Sequence, residues 1–234
     1  APAARPAPSQ RRWYNSPRYP IDAQRRGRAV TNYHIWTIGC QMNEADARRL
    51  GDELDVVGFA PAESAEDADL VVLYSCVVRQ AAENKVHNQL MRLREVKRRR
   101  PDYKIVLAGC LAGEETAALQ RAYPFVDLFV SPKADISLRN QILDLLDLDQ
   151  RYRQEPEGAQ RTPGVSAGVT IHQGCNRRCT YCIIPFRRGP ERSRRPAEIR
   201  AEIEGLVQRG TREVVLLSQI VERYGWDLQP RTTL

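Results

Sequence analysis

Three short apolar runs in the first half of the chain each close on a cysteine: YHIWTIGC (33–40), DLVVLYSC (69–76) and YKIVLAGC (103–110). Each is rich in β-branched or aromatic residues and flanked by a helical pattern, so each reads as a buried strand. Between them, ADARRLGDELDVVGF (45–59) and RQAAENKVHNQLMRLREVKRRR (79–100) carry apolar residues at helical spacing. The second ends in a basic turn, 97–100, that suits a helix C-terminus and is expected to be solvated. Strand, helix, strand, helix, strand implies an α/β domain with a doubly wound parallel sheet and right-handed crossovers. Such sheets bind ligands beyond the carboxyl ends of their strands. Cys40, Cys76 and Cys110 each stand at such an end, so the topology is expected to bring them to one edge. Buried structural thiols are the plainer alternative, since free cysteine is often a small core residue.

A second trio, Cys175, Cys179 and Cys182, lies in GCNRRCTYC (174–182). Thiolates this close do not pair off as disulfides, and a structural zinc site normally takes four ligands. Three thiolates on a four-iron cluster leave one iron open to a small molecule. A partial zinc knuckle, with His172 as a distant fourth ligand, is the competing interpretation.

The chain has 234 residues, 42% of them hydrophobic, and no apolar stretch long enough to span a membrane. The first residues contain no apolar core of a secretory signal. Six cysteines in two ligand-like trios and no signal argue for a reducing, cytoplasmic setting. The net charge is +7, and residues 1–30 hold seven Arg against a single acid, Asp22. That stretch reads as a disordered basic tail, which either serves nucleic acid or is simply solvated.

The first domain is expected over 31–148, with a fourth strand at 125–130 and a closing helix at 134–148. Residues 149–164 are polar, contain Pro and Gly, and read as a linker. A second domain over 165–234 opens with a strand at 167–174. The cysteine loop, a helix at 197–210 and a buried strand at 212–218 follow. One such βαβ unit does not bury its own apolar faces, so an incomplete barrel is expected.

The segments TIGCQMNEAD (37–46), SCVVRQAAENKV (75–86), AGCLA (108–112) and QGCNRRCTYCIIPFRRGPERSR (173–194) resemble the radical S-adenosylmethionine (radical-SAM) methylthiotransferases. Cys40-Gln41-Met42-Asn43 is similar to the MiaB-type branch that modifies tRNA. The resemblance covers about 32–228. It breaks off where the family continues into the rest of a partial β/α barrel and a small RNA-binding TRAM domain. Tyr74-Ser75, Gly113, Ser218 and Ile220 depart from the common pattern.

The resemblance implies two [4Fe–4S] clusters: a radical cluster on Cys175, Cys179 and Cys182, and an auxiliary cluster on Cys40, Cys76 and Cys110. It implies that S-adenosyl-L-methionine binds the open iron of the first and is cleaved to a 5′-deoxyadenosyl radical. The auxiliary cluster carries the sulfur, and a methylthio group is placed on C2 of an N6-dimethylallyl adenosine beside the anticodon. No side-chain acid or base is needed, and His34, His87 and His172 are expected to be ordinary packing or surface residues. Tyr181, Ser218 and Gln219 are the expected contacts to S-adenosylmethionine. Gln41, Asn43, Arg79, Arg187 and Arg188 are the expected contacts to the tRNA anticodon stem-loop, with a helix cap the plainer role for Asn43 and a turn cap for Arg79. Arg192, Arg194 and Arg195 extend the last two into a phosphate track, or into a solvated charge run. An electron donor and a sulfur donor, neither identified by these residues, complete the partners of an expected monomer. The alternatives are a methylthiotransferase acting on a ribosomal protein, and a non-catalytic iron–sulfur or RNA-binding module.

Overall fold

A computed structural model describes residues 32–113, 116–133, 137–148 and 164–234. The expected tail over 1–30, and the expected linker up to residue 163, lie outside the described residues. So does the first turn expected of the helix at 134–148.

The first half builds a five-stranded parallel sheet: β1 (Asn32–Thr37), β2 (Ala60–Pro61), β3 (Leu70–Ser75), β4 (Lys104–Gly109) and β5 (Leu128–Val130). The strand order is β2-β1-β3-β4-β5, so the sheet is wound outward from β1 in both directions. The helices between are α1 (Gln41–Val57), α2 (Gln80–Arg99), α3 (Thr116–Ala122) and α4 (Leu138–Leu145). Strand side chains alternate faces. Leu70, Val72, Tyr74 and Val106 meet Leu50 and Leu54 of α1 and Ile142 and Leu143 of α4 on one side. Val71, Leu73, Ile105 and Leu107 meet Val86, Leu90 and Leu93 of α2 on the other. Every residue of β3 is buried, which explains why its sequence is a continuous apolar run.

The fourth strand is shorter than the expected 125–130. Val126 N closes a turn on Tyr123 O, and Asp127 N is the first to join β4, at Ile105 O. The basic end of α2 is not simply solvated. Arg100 Nη2 donates to Asp69 Oδ1 at 2.6 Å, and Lys97 pairs with Asp127, whose carboxylate also accepts Ile105 N. These pairs tie the helix end to the edges of β3 and β4.

The second half contains β6 (Ser166–Thr170), β7 (His172–Gln173), α5 (Ile184–Arg188), β8 (Arg192–Ser193), α6 (Pro196–Gln208) and β9 (Glu213–Leu217). β6 and β9 are parallel and hydrogen-bonded, joined through α6, as the βαβ pattern predicts. The strand expected to be buried at 212–218 is not: within β9 only Leu217 is buried, while Val215 and Leu216 are exposed. The expected strand at 167–174 divides at Ile171. Ile171 N still bonds Leu217 O, but Ile171 O accepts Arg194 N from the returning chain, and β7 then pairs antiparallel with β8. Among the described residues no helix is long and apolar enough to cross a membrane.

The two halves pack together through α1. Met42 and Ala45 form a small core with Leu217. Arg48 Nη2 donates to Gly168 O at 2.5 Å and stands 3.6 Å from Glu202. α1 therefore carries an apolar stripe for its own sheet and a second, mixed face for β6 and β9.

Candidate cysteine centres and the bridge between them

Cys40 is the N-cap of α1, Cys76 directly follows β3, and Cys110 opens a short 3₁₀ turn after β4. Strands β1, β3 and β4 are neighbours, so the three cysteines line one carboxyl edge. Cys76 and Cys110 are buried and Cys40 is exposed, and all three are free thiols.

The loops bearing them are held tightly. Gly39 has φ of +123°, and a Cβ there would come within 2.6 Å of Cys76 Cβ. Asn43 is 1% exposed, and its Nδ2 donates to Ile38 O at 2.9 Å and Ser75 O at 3.1 Å. Ser75 Oγ donates to Ala108 O at 2.6 Å and accepts from Leu111 N at 3.2 Å. Thus Asn43 joins the first two cysteine loops and Ser75 joins the second to the third. Burial pushes the Cys110 thiol up, and the Arg188 guanidinium beside it pulls the other way.

The second trio lies on the loop after β7. Cys175 is buried, Cys182 half-buried and Cys179 exposed. Gly174, with φ of +79°, lets the chain pass Pro190, whose carbonyl oxygen would lie 2.0 Å from a Cβ there. Cys175 N donates to Gly189 O, Cys182 N to Cys179 O, and Arg177 N to Cys175 Sγ at 3.4 Å. Asn176 and Glu191 clamp the loop reciprocally, each backbone N–H donating to the other's side chain at 3.2 Å. Glu191 also receives Arg223 Nε at 2.7 Å.

Among the described residues no three His, Cys, Asp or Glu side chains stand close enough to hold a single metal ion. A four-iron cluster takes its thiolates on separate irons, farther apart than one ion does. Two observations fit such a group: a backbone N–H already aimed at the Cys175 sulfur, and a buried Arg188 Nη1 without a hydrogen-bond partner beside Cys110. Hydrogen bonds to sulfur are a normal part of iron–sulfur ligation.

Residues 32–131 match the model of Uncharacterized protein family UPF0004, and residues 169–226 match that of the Radical SAM superfamily. A tRNA-2-methylthio-N(6)-dimethylallyladenosine synthase of Dehalococcoides mccartyi (strain CBDB1) is 48% identical over 207 residues, covering 88% of this chain and 46% of that protein. Proteins of the same name from Herpetosiphon aurantiacus and Chloroflexus aurantiacus are 45% and 44% identical, over 86% of this chain and 46% and 43% of theirs. This chain belongs to the MiaB-type family of radical-SAM proteins. It spans less than half the length of the relatives it matches. Membership implies iron–sulfur and S-adenosylmethionine chemistry.

In this MiaB-type chain the expected contact residues divide into exposed and committed ones. Gln41, Arg79 and Tyr181 are exposed, Tyr181 at 91%. Arg79 makes no side-chain cap, contrary to its plainer role, and neither does Asn43, since the N-cap of α1 is Cys40. Gln219 Oε1 accepts Gly174 N at 2.7 Å and its Nε2 reaches Met42 Sδ, so it anchors the cysteine loop to α1. Ser218 Oγ bonds His172 Nδ1 at 2.7 Å and accepts Ile220 N.

The expected phosphate track is corrected at two positions. Arg188 is 4% exposed, with Nη2 on Asn43 Oδ1 at 2.9 Å and Nη1 3.8 Å from Asp46 Oδ2. Arg194 donates to Thr170 O and pairs with Glu202 at 2.6 Å. The local sequence around Arg188 and Arg194 gives no sign of this, because Asn43, Asp46, Thr170 and Glu202 lie on other elements of the fold. Arg187 is half-buried against Gly113, where a Cβ would lie 2.7 Å from its Nη1. His172 is fully buried, and burial lowers its pKa against the opposing pull of Glu191 and Asp227. Met42, Arg48 and Glu191 are organising residues that the sequence pattern did not single out.

Proposed function

We propose that this chain forms the catalytic front of a radical-SAM tRNA methylthiotransferase, which adds a methylthio group to C2 of N6-dimethylallyl adenosine at position 37, beside the anticodon. The observation that carries the reading is the pair of cysteine trios, one on each half, on loops fastened to each other by Arg188–Asn43 and Gln219–Met42. The names of the relatives support tRNA as the partner and a transferase of sulfur-containing groups as the class.

In this reading Cys175, Cys179 and Cys182 hold one [4Fe–4S] cluster, and Cys40, Cys76 and Cys110 hold the other. Bound there, they supply reductive cleavage of S-adenosylmethionine and carriage of the transferred sulfur. The chain's own residues orient and shield. Gly174, Asn176 and Glu191 fix the first loop, while Asn43 and Ser75 fix the second set. Exposed Tyr181 is free to cover bound S-adenosylmethionine, whereas Ser218 and Gln219 act from beneath the loop. Gln41 and Arg79, exposed beside Cys40 and Cys76, face the substrate base and its phosphates. Asn43 and Arg188 serve by holding the loops rather than by touching RNA. The setting is a reducing cytoplasm, and the protein acts as a monomer with separate electron and sulfur donors.

Anaerobic reconstitution with iron and sulfide, followed by iron counting and electron paramagnetic resonance, tests this. About eight irons per chain, with a reduced spectrum that changes on adding S-adenosylmethionine, is the expected result. A single zinc, or no metal, would sink it.

A further inference from the structure

Arg188 leaves the radical-cluster loop on α5 and ends inside the other half of the protein. Its side chain is 2% exposed. Nη2 is bonded to Asn43 Oδ1 at 2.9 Å, and α5 packs against the short turn that Cys110 opens, which brings the guanidinium beside that thiol. Nη1 is buried and has no hydrogen-bond partner. Its approach to Asp46, 3.8 Å, is well beyond the roughly 3.2 Å of a formed N–H···O bond. Arginine does not shed its proton in proteins, so a full positive charge is fixed at this point. A buried charge persists only where something compensates it. Asp46 supplies a counter-charge at 3.8 Å without a formed hydrogen bond and Asn43 is neutral, so the Cys110 side is where the free N–H finds a further acceptor.

We propose that Arg188 is a positioning residue of the auxiliary centre: its unbonded N–H and fixed charge face the sulfur ligation at Cys110 and raise the reduction potential of the cluster held there. This rests on the two-cluster reading above. A neighbouring cation favours the more negative, reduced state of a cluster, and hydrogen bonds to its sulfurs act in the same direction. Because Arg188 comes from α5, the same contact holds the radical-cluster loop in register with the auxiliary centre.

The test uses the full chain in two backgrounds, each reconstituted anaerobically and titrated with dithionite while the cluster spectrum is followed. In Cys175→Ala/Cys179→Ala/Cys182→Ala only the auxiliary cluster remains. There, Arg188→Met is expected to lower the midpoint potential, and Arg188→Lys to fall between. Lysine keeps the charge but lacks the fork that serves Asn43 and Cys110 together. In Cys40→Ala/Cys76→Ala/Cys110→Ala only the radical cluster remains, and Arg188→Met is expected to leave its potential unchanged. Equal potentials in the first background, or an equal shift in the second, overturn the assignment. If Arg188→Met loses its iron, Arg188→Lys decides by the same criterion. Absence of iron from the first background with Arg188 intact overturns the two-cluster reading, and the assignment with it.

Discussion

The side-chain amide of Asn43 is committed inside the protein, with Ile38 O, Ser75 O and Arg188 as its partners. Asn43→Ala strands a buried guanidinium and two carbonyls, and is expected to cost about 3 kcal/mol in urea denaturation. Gly39→Ala meets a backbone φ of +123° and the Cys76 side chain together. It is expected to cost about 2 kcal/mol and to lower iron uptake by the auxiliary trio. At His172 the folded-state pKa is depressed, chiefly by burial, with Glu191 and Asp227 opposing and Arg223 assisting. In the unfolded chain the ring protonates near its ordinary value of about 6.5. Its contribution is therefore complete above that pH and is lost as pH falls below it, because the unfolded state then binds the extra proton. Thermal melts from pH 7.5 down to 5.5 are expected to show a falling midpoint, with a shallower fall in His172→Asn.

At the scale of elements, α2 exists to cover one face of the sheet. Leu90 is fully buried among Val71, Leu73 and Ile105, and Leu90→Ala is expected to cost roughly 2–5 kcal/mol, read from the urea midpoint. α1 does more than its apolar period announces. It begins at Gln41, ahead of the periodic stretch from Ala45, because Met42 and Asn43 are buried by contacts with the second half. The division of the strand at Ile171 has the same kind of origin, since Arg194 arrives from far along the chain to take its carbonyl.

At the scale of the whole molecule, the two centres are separable in ligands but joined in structure. Cys179→Ala is expected to remove about half of the bound iron and to abolish S-adenosylmethionine cleavage, leaving the auxiliary cluster's spectrum in place. Cys76→Ala is expected to remove the other half and to leave cleavage detectable. Iron analysis and product chromatography check both. Loss of all the iron in either variant would contradict two independent sites.

The apolar runs closing on Cys40, Cys76 and Cys110 determined the parallel sheet and the edge on which its cysteines stand. This was legible because strand burial and helical period are local patterns, and because strand direction in a βαβ fold decides which end a residue occupies. The trio Cys175, Cys179 and Cys182 was legible for a simpler reason, since its three thiols lie close together in one short loop. What the tertiary structure alone decided is which polar residues are available. Arg188 and Arg194 stand in one basic string with Arg187, and no local pattern separates them. Their partners, Asn43, Glu202 and Thr170 O, come from elsewhere in the fold. Burial of a charge depends on what another segment places beside it, and that is a property of packing rather than of sequence.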